Sequence, residues 1–165
     1  MESYQTWLGE GPELSVLRML GLFDRPADEK ALSTLLKSPV IPGLTELLTD
    51  LSAIAWRTML AKLRRARLLA GEDPHNPGHL DTHPLVREYF SEQLRSQRTE
   101  AWKECNKRLY HHCGTLAPQQ QRYCGAELHW LHGMLLATMG AEETQIEASF
   151  QACRQNKQKS RNRFR

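Results

Sequence analysis

Leu68-Leu69-Ala70-Gly71-Glu72-Asp73-Pro74-His75-Asn76-Pro77-Gly78-His79-Leu80-Asp81-Thr82-His83 interrupts a chain whose apolar residues otherwise recur at helical spacing. Its middle, 72–78, is dense in turn formers, and Pro74, Pro77 and Gly78 forbid a continuous helix. The flanks, Leu68-Leu69 on one side and His79-Leu80-Asp81 on the other, are short and apolar-centred. This pattern predicts two short strands joined by a loop. Pro84 then starts a helix, because a proline at the first helical position removes an N–H that would be unbonded there anyway. The predicted buried face of that helix is Leu85, Val86, Tyr89, Phe90 and Leu94.

Upstream, Gly11-Pro12-Glu13 opens a helix with Leu14, Leu17, Met19, Leu20 and Phe23 as its apolar face and Gly21 as a left-handed terminator. Asp24-Arg25-Pro26-Ala27-Asp28-Glu29 reads as a second start, with a capping acid, a proline and acids in the first turn, leading to Ala31, Leu32, Leu35 and Leu36. After a break at 38–43, a helical pattern runs over 45–68 with an interruption near Ser52, and its second part is expected to bury Trp56, Met59, Leu60 and Leu63. Three helices followed by a hairpin is the winged-helix order. The expected fold is therefore mainly α: the end of a linker helix at 1–11, with Tyr4, Trp7 and Leu8, and a winged-helix domain at 12–97. A helical extension at 98–153 and a basic disordered tail at 154–165 follow. Trp102, Cys105 and Leu109 mark the extension's first helix, and 127–139 reads as another.

Composition agrees with a folded domain: 165 residues, 40% hydrophobic and 25% charged. The net charge of +3 is concentrated at one end. Residues 154–165 hold six of the 22 basic residues (Arg154, Lys157, Lys159, Arg161, Arg163 and Arg165) and no acids, so residues 1–153 hold 16 bases against 19 acids, a net −3. Duplex-binding domains draw most of their affinity from phosphate contacts, and an acidic body argues against that class. No apolar run approaches the roughly 20 residues of a membrane helix. Met1-Glu2-Ser3-Tyr4 shows no basic stretch and no apolar run after it, so no secretory signal is expected and the expected compartment is the cytoplasm. The four cysteines, at 105, 113, 124 and 153, form no Cys-x-x-Cys pair and are expected to be reduced thiols.

Enzymatic signatures are missing. No Gly is followed by Lys, so there is no P-loop, and neither Gly-x-Ser-x-Gly nor His-Glu-x-x-His occurs. No catalytic residue is expected, and no metal either. His75, His79 and His83 recur every fourth residue, but the prolines between them exclude the helix that would align them, and His111, His112, His129 and His132 lack a fourth ligand at zinc spacing. The most basic folded stretch is Arg57, Lys62, Arg64, Arg65 and Arg67, on the third helix of the expected winged helix, the helix that enters the major groove in DNA-binding members. It carries no Asn or Gln for bidentate base contacts, and cations late in a helix also complement its dipole. Arg57, Lys62, Arg64 and Arg65 are thus the candidate contacts for the alternative reading, a small winged-helix DNA-binding transcriptional regulator.

Several separated motifs carry a resemblance. Leu20-Gly21-Leu22-Phe23-Asp24-Arg25-Pro26-Ala27 resembles the opening, and Asp81-Thr82-His83-Pro84-Leu85-Val86-Arg87-Glu88-Tyr89-Phe90 the end, of the winged-helix domain in bacterial STAND (NB-ARC-like) signalling ATPases. Ile41-Pro42-Gly43-Leu44-Thr45, Trp56 and Leu63-Arg64-Arg65-Ala66-Arg67-Leu68-Leu69 resemble the same pattern between them, over about 4–117 in all. The resemblance implies a domain that folds over a nucleotide site and holds the ATPase in its closed, ADP-bound state. It places His83 in the role of the histidine that reaches the ADP β-phosphate. Thr82 stands where the family has methionine, and Pro84 where it usually has aspartate; Asp81 is positioned to replace the acid. One charge-assisted hydrogen bond is worth about 1.5–3 kcal/mol, or about 10- to 150-fold in an equilibrium, enough to bias a switch. It falls short of the roughly 8 kcal/mol of micromolar binding, so this chain is expected to bind no cofactor alone, and ADP or ATP only with a separate nucleotide-binding core. The implied partner is a P-loop domain, in cis or in trans, and the implied function is regulatory, in a truncated or split fragment with a frame shift near Pro118.

Overall fold

The computed structural model describes residues 6–114. The protein is mainly helical: 6–8 are helical, followed by α1 (Pro12–Leu20), α2 (Glu29–Leu35), α3 (Glu46–Thr49), α4 (Ala53–Arg65), α5 (Pro84–Gln97) and α6 (Thr99–Gly114). It divides into two compact units, Met1–Cys105 and Asn106–Arg165, with the boundary inside α6. The expected helix at 127–139 and the basic tail lie outside the described residues. No described helix is long and apolar enough to cross a membrane.

In the first unit α1 is the central element, packed against α5, α3 and α4. Leu14, Val16, Leu17, Met19 and Leu20 are all at most 1% exposed. A helix buried on every side has no polar stripe, and each such side chain contributes about 1.5–3 kcal/mol of burial. The first helix thus ends at Leu20, and Phe23 lies beyond it, half-buried. Gly21 does not terminate it in the left-handed region, because its φ is −62°. Glycine is needed for a different reason: a Cβ there would lie 2.5 Å from the Ser91 backbone nitrogen and 3.0 Å from the Phe90 carbonyl carbon. The end of α1 lies directly against the α5 backbone.

The caps follow the local chemistry. Asp28 accepts the Ala31 N–H at 2.9 Å to start α2, and Ser52 accepts the Ala55 N–H at 3.2 Å to start α4, so the expected interruption near Ser52 is a helix start. At the far end of α4, Arg67 takes φ +58°, the Leu68 N–H reaches the Leu63 carbonyl at 3.0 Å, and the Arg67 N–H reaches that of Arg64 at 2.9 Å. This is a Schellman stop with arginine where glycine is usual. Met59, Leu60 and Leu63 are buried as expected, whereas Trp56 is only half-buried.

The expected β-hairpin does not form: among the described residues there is no strand, only an isolated antiparallel bridge between Ala27 and Leu80. Leu80 exchanges both backbone bonds with Ala27, at 2.8 and 3.0 Å, so these groups face away from the 68–70 side. On that side one backbone bond joins the two legs, from the Ala70 N–H to the Asp81 carbonyl at 2.9 Å. From Gly71 the chain turns away in exposed, proline-broken turns, and a ladder cannot extend. The flap is a three-segment crossing, with 80–82 between residue 27 and 68–70.

Candidate functional site

The flap's return leg leads directly into α5, and His83 sits at the junction as the N-cap, with φ −60° and ψ 140°. Its side chain is exposed, and Nδ1 accepts the Leu85 N–H at 3.2 Å. A neutral imidazole that accepts at Nδ1 carries its proton on Nε2. Nε2 has no hydrogen-bond partner among the described residues, so the ring presents one outward donor.

The first turn of α5 offers no other donor to an anion. Pro84 has no N–H, that of Leu85 is taken by the ring, and those of Val86 and Arg87 reach the His83 carbonyl at 2.9 and 3.2 Å. Exposed backbone N–H groups at this terminus, which would make it a general anion site, are therefore not present. What remains is the helix dipole and one imidazole N–H.

Two ties fix the chain around this cap. Thr82, 4% exposed, donates its hydroxyl to the Leu68 carbonyl at 2.5 Å and ties the residue before the histidine to the end of α4. The carboxylate of Asp81 pairs with the buried guanidinium of Arg87, one turn into α5. Asp81 is thus committed to Arg87. Leu85, expected in the core, is 66% exposed. It lies about 100° behind Val86 around the helix, outside the arc of Val86, Phe90, Gln93 and Leu94.

The four basic candidates of α4 are unequally available. Lys62 pairs with Glu13 at 2.6 Å and lies 5.4 Å from the centre of the Trp7 ring, so its charge is engaged within the fold. Arg64 is half-buried, and its Nε is buried with no hydrogen-bond partner among the described residues. Arg57 and Arg65 are exposed, although Arg57 Nε donates to the Ala53 carbonyl at 3.3 Å.

His75 and His79 lie in the turns of the flap, where Asp73 organises the backbone by accepting from the His75 N–H at 2.9 Å and from Asn76 Nδ2 at 2.7 Å. Those bonds, the Asn76 amide first, hold the Asp73 carboxyl below its usual range. Among the described residues no group of three or more His, Cys, Asp or Glu is arranged to hold a metal ion.

One polar network has no counterpart in the sequence reading. Arg18, 1% exposed in the last turn of α1, donates from Nε to Gln93 at 2.7 Å and from both terminal nitrogens to Glu10, at 2.9 and 3.1 Å. Arg98 also approaches Glu10, at 3.7 Å. The Arg18 hydrogen bond is the main reason the Glu10 carboxyl is held below its ordinary value. The available signal was an arginine with apolar neighbours on every helix face. No protein-family model, curated protein or solved structure matches the chain.

Proposed function

We propose that this chain is a non-catalytic, nucleotide-sensing winged-helix module of a STAND-type signalling ATPase, acting in the cytoplasm by docking on a P-loop core in cis or in trans. In this reading α1, α2 and α4 are the three helices and the flap is a wing reduced to a bridge. The core holds ADP, and His83 donates from Nε2 to a phosphate oxygen when the module closes over it. The observation that carries the reading is the outward N–H of an exposed histidine whose other nitrogen is already used as a helix cap. A single donor suits a sensor: it shifts a closed–open equilibrium by about 10- to 150-fold and holds no nucleotide alone.

The test is ADP release from the P-loop protein that co-purifies with the chain. His83→Asp keeps an N-cap acceptor and, as a carboxylate, carries no donor. It should leave the unfolding midpoint unchanged and speed ADP release by about 10- to 150-fold. Unaltered release, or no P-loop protein among the co-purifying chains, counts against the reading.

The exposure of Arg57 and Arg65 on α4 favours the second reading, a DNA-binding regulator. Duplex DNA titrated at low and moderate salt separates the two. A regulator binds with a steep salt slope that is lost in the Arg57→Ala, Arg65→Ala double variant; the sensor module shows neither.

A further inference from the structure

We infer that Thr82 is the positioning residue for His83, fixing the ring so that Nδ1 meets the Leu85 N–H and Nε2 points outward. The inference rests on the reading of His83 as the sensor, and it concerns a hydroxyl at the position where the resemblance leads one to expect methionine. Thr82 is nearly sealed, and its hydroxyl is given to the carbonyl of Leu68. Leu68 is in turn fixed by the stop of α4, where its own N–H is held by Leu63. A short chain of bonds therefore runs from the end of α4 through Leu68 and Thr82 to the backbone of His83. The ring's cap at Leu85 lies only two residues further along. On the other side, Asp81 and Arg87 join the flap to α5 but bypass residue 83. Within this pair of ties, the one that sets the backbone of His83 is Thr82. Removing its hydroxyl leaves a buried carbonyl unbonded and lets residues 82 and 83 turn, so the cap opens even where the helix survives.

The experiment uses the full chain without nucleotide. Amide hydrogen exchange at Leu85 and the ring ¹⁵N shifts of His83 are followed in Thr82→Val, Thr82→Ser and, as control, Thr45→Val. Thr45 is an equally buried threonine whose hydroxyl accepts the Ile41 N–H at 2.7 Å, on the segment leading into α3. In Thr82→Val the Leu85 amide should exchange about five- to tenfold faster and the Nδ1 resonance should shift. Thr82→Ser and Thr45→Val should keep the wild-type values at both sites. Wild-type values in Thr82→Val, or equal changes in Thr45→Val, overturn the inference. If the valine variant does not fold, serine decides: retained protection at Leu85 supports the role of the hydroxyl, and lost protection refutes it. Because no nucleotide is involved, failure here is separate from failure of the sensor reading, which is read in ADP release.

Discussion

An alanine at position 21 places a methyl group 2.5 Å from a backbone nitrogen of α5, and neither backbone has a flexible side-chain end to move aside. Gly21→Ala is therefore expected to cost about 1–3 kcal/mol, seen as a lower urea midpoint with an unchanged slope. An unmoved midpoint would show that the two helices separate without cost. The opposite sign is expected at Arg67, which carries a side chain in the left-handed region. Arg67→Gly relieves that strain, less the extra chain entropy of glycine, for a net gain of about 0.5–1 kcal/mol. Thermal unfolding of the variant measures it, and a loss would mean that the arginine side chain makes a contact outweighing the strain.

The helix starts were legible because each is written in one or two residues. Pro12 and Pro84 occupy first positions, and Asp28 and Ser52 are caps whose acceptors lie one or two atoms from the chain. Asp28→Ala should accordingly remove about 1 kcal/mol, measured by the same urea titration; no change would show that the Ala31 N–H finds another acceptor. Strand formation was not legible, because it depends on partners distant in sequence. Leu80 spends its backbone bonds on Ala27, a pairing that no local pattern around the flap announces. Leu85 shows a related limit: it is apolar and close to a buried face, and only the rotation of α5 against α1 decides that it faces outward. His83 was a candidate through the resemblance alone, and its exposure and its cap on Leu85 come from the structure. So does the direction of its free nitrogen, since that follows from which N–H the ring caps.

Glu10, Arg18 and Gln93 join the lead-in, α1 and α5 through a nearly inaccessible guanidinium. Loss of the carboxylate leaves that cation without its bidentate partner. For a fully buried pair the cost is about 3–5 kcal/mol. The Glu10 side chain is 61% exposed, and solvent screening brings the expected cost of Glu10→Ala to about 1–3 kcal/mol. The acid dependence has a definite sign. The carboxyl is held below its ordinary value of 4.5 in the folded protein, so its contribution is complete above that value and is lost as pH falls through the lower, folded one. The unfolding temperature should drop on acidification below about 4.5, and Glu10→Gln should flatten that part of the curve; parallel curves for the two proteins would show that the drop arises elsewhere.

The proline-broken excursion of the flap has a practical use as well. Residues 71–78 are exposed throughout, and open space surrounds the Cβ direction of Gly71. Both ends of the excursion are pinned, by Ala70 to Asp81 and by Leu80 to Ala27, so extra length there is tethered at its base. Doubling a loop costs only about 0.6 kcal/mol in closure entropy. An epitope or dye-bearing peptide spliced in after Gly71 would serve as a handle for fishing out whatever binds this protein, with its fold intact beneath the bait.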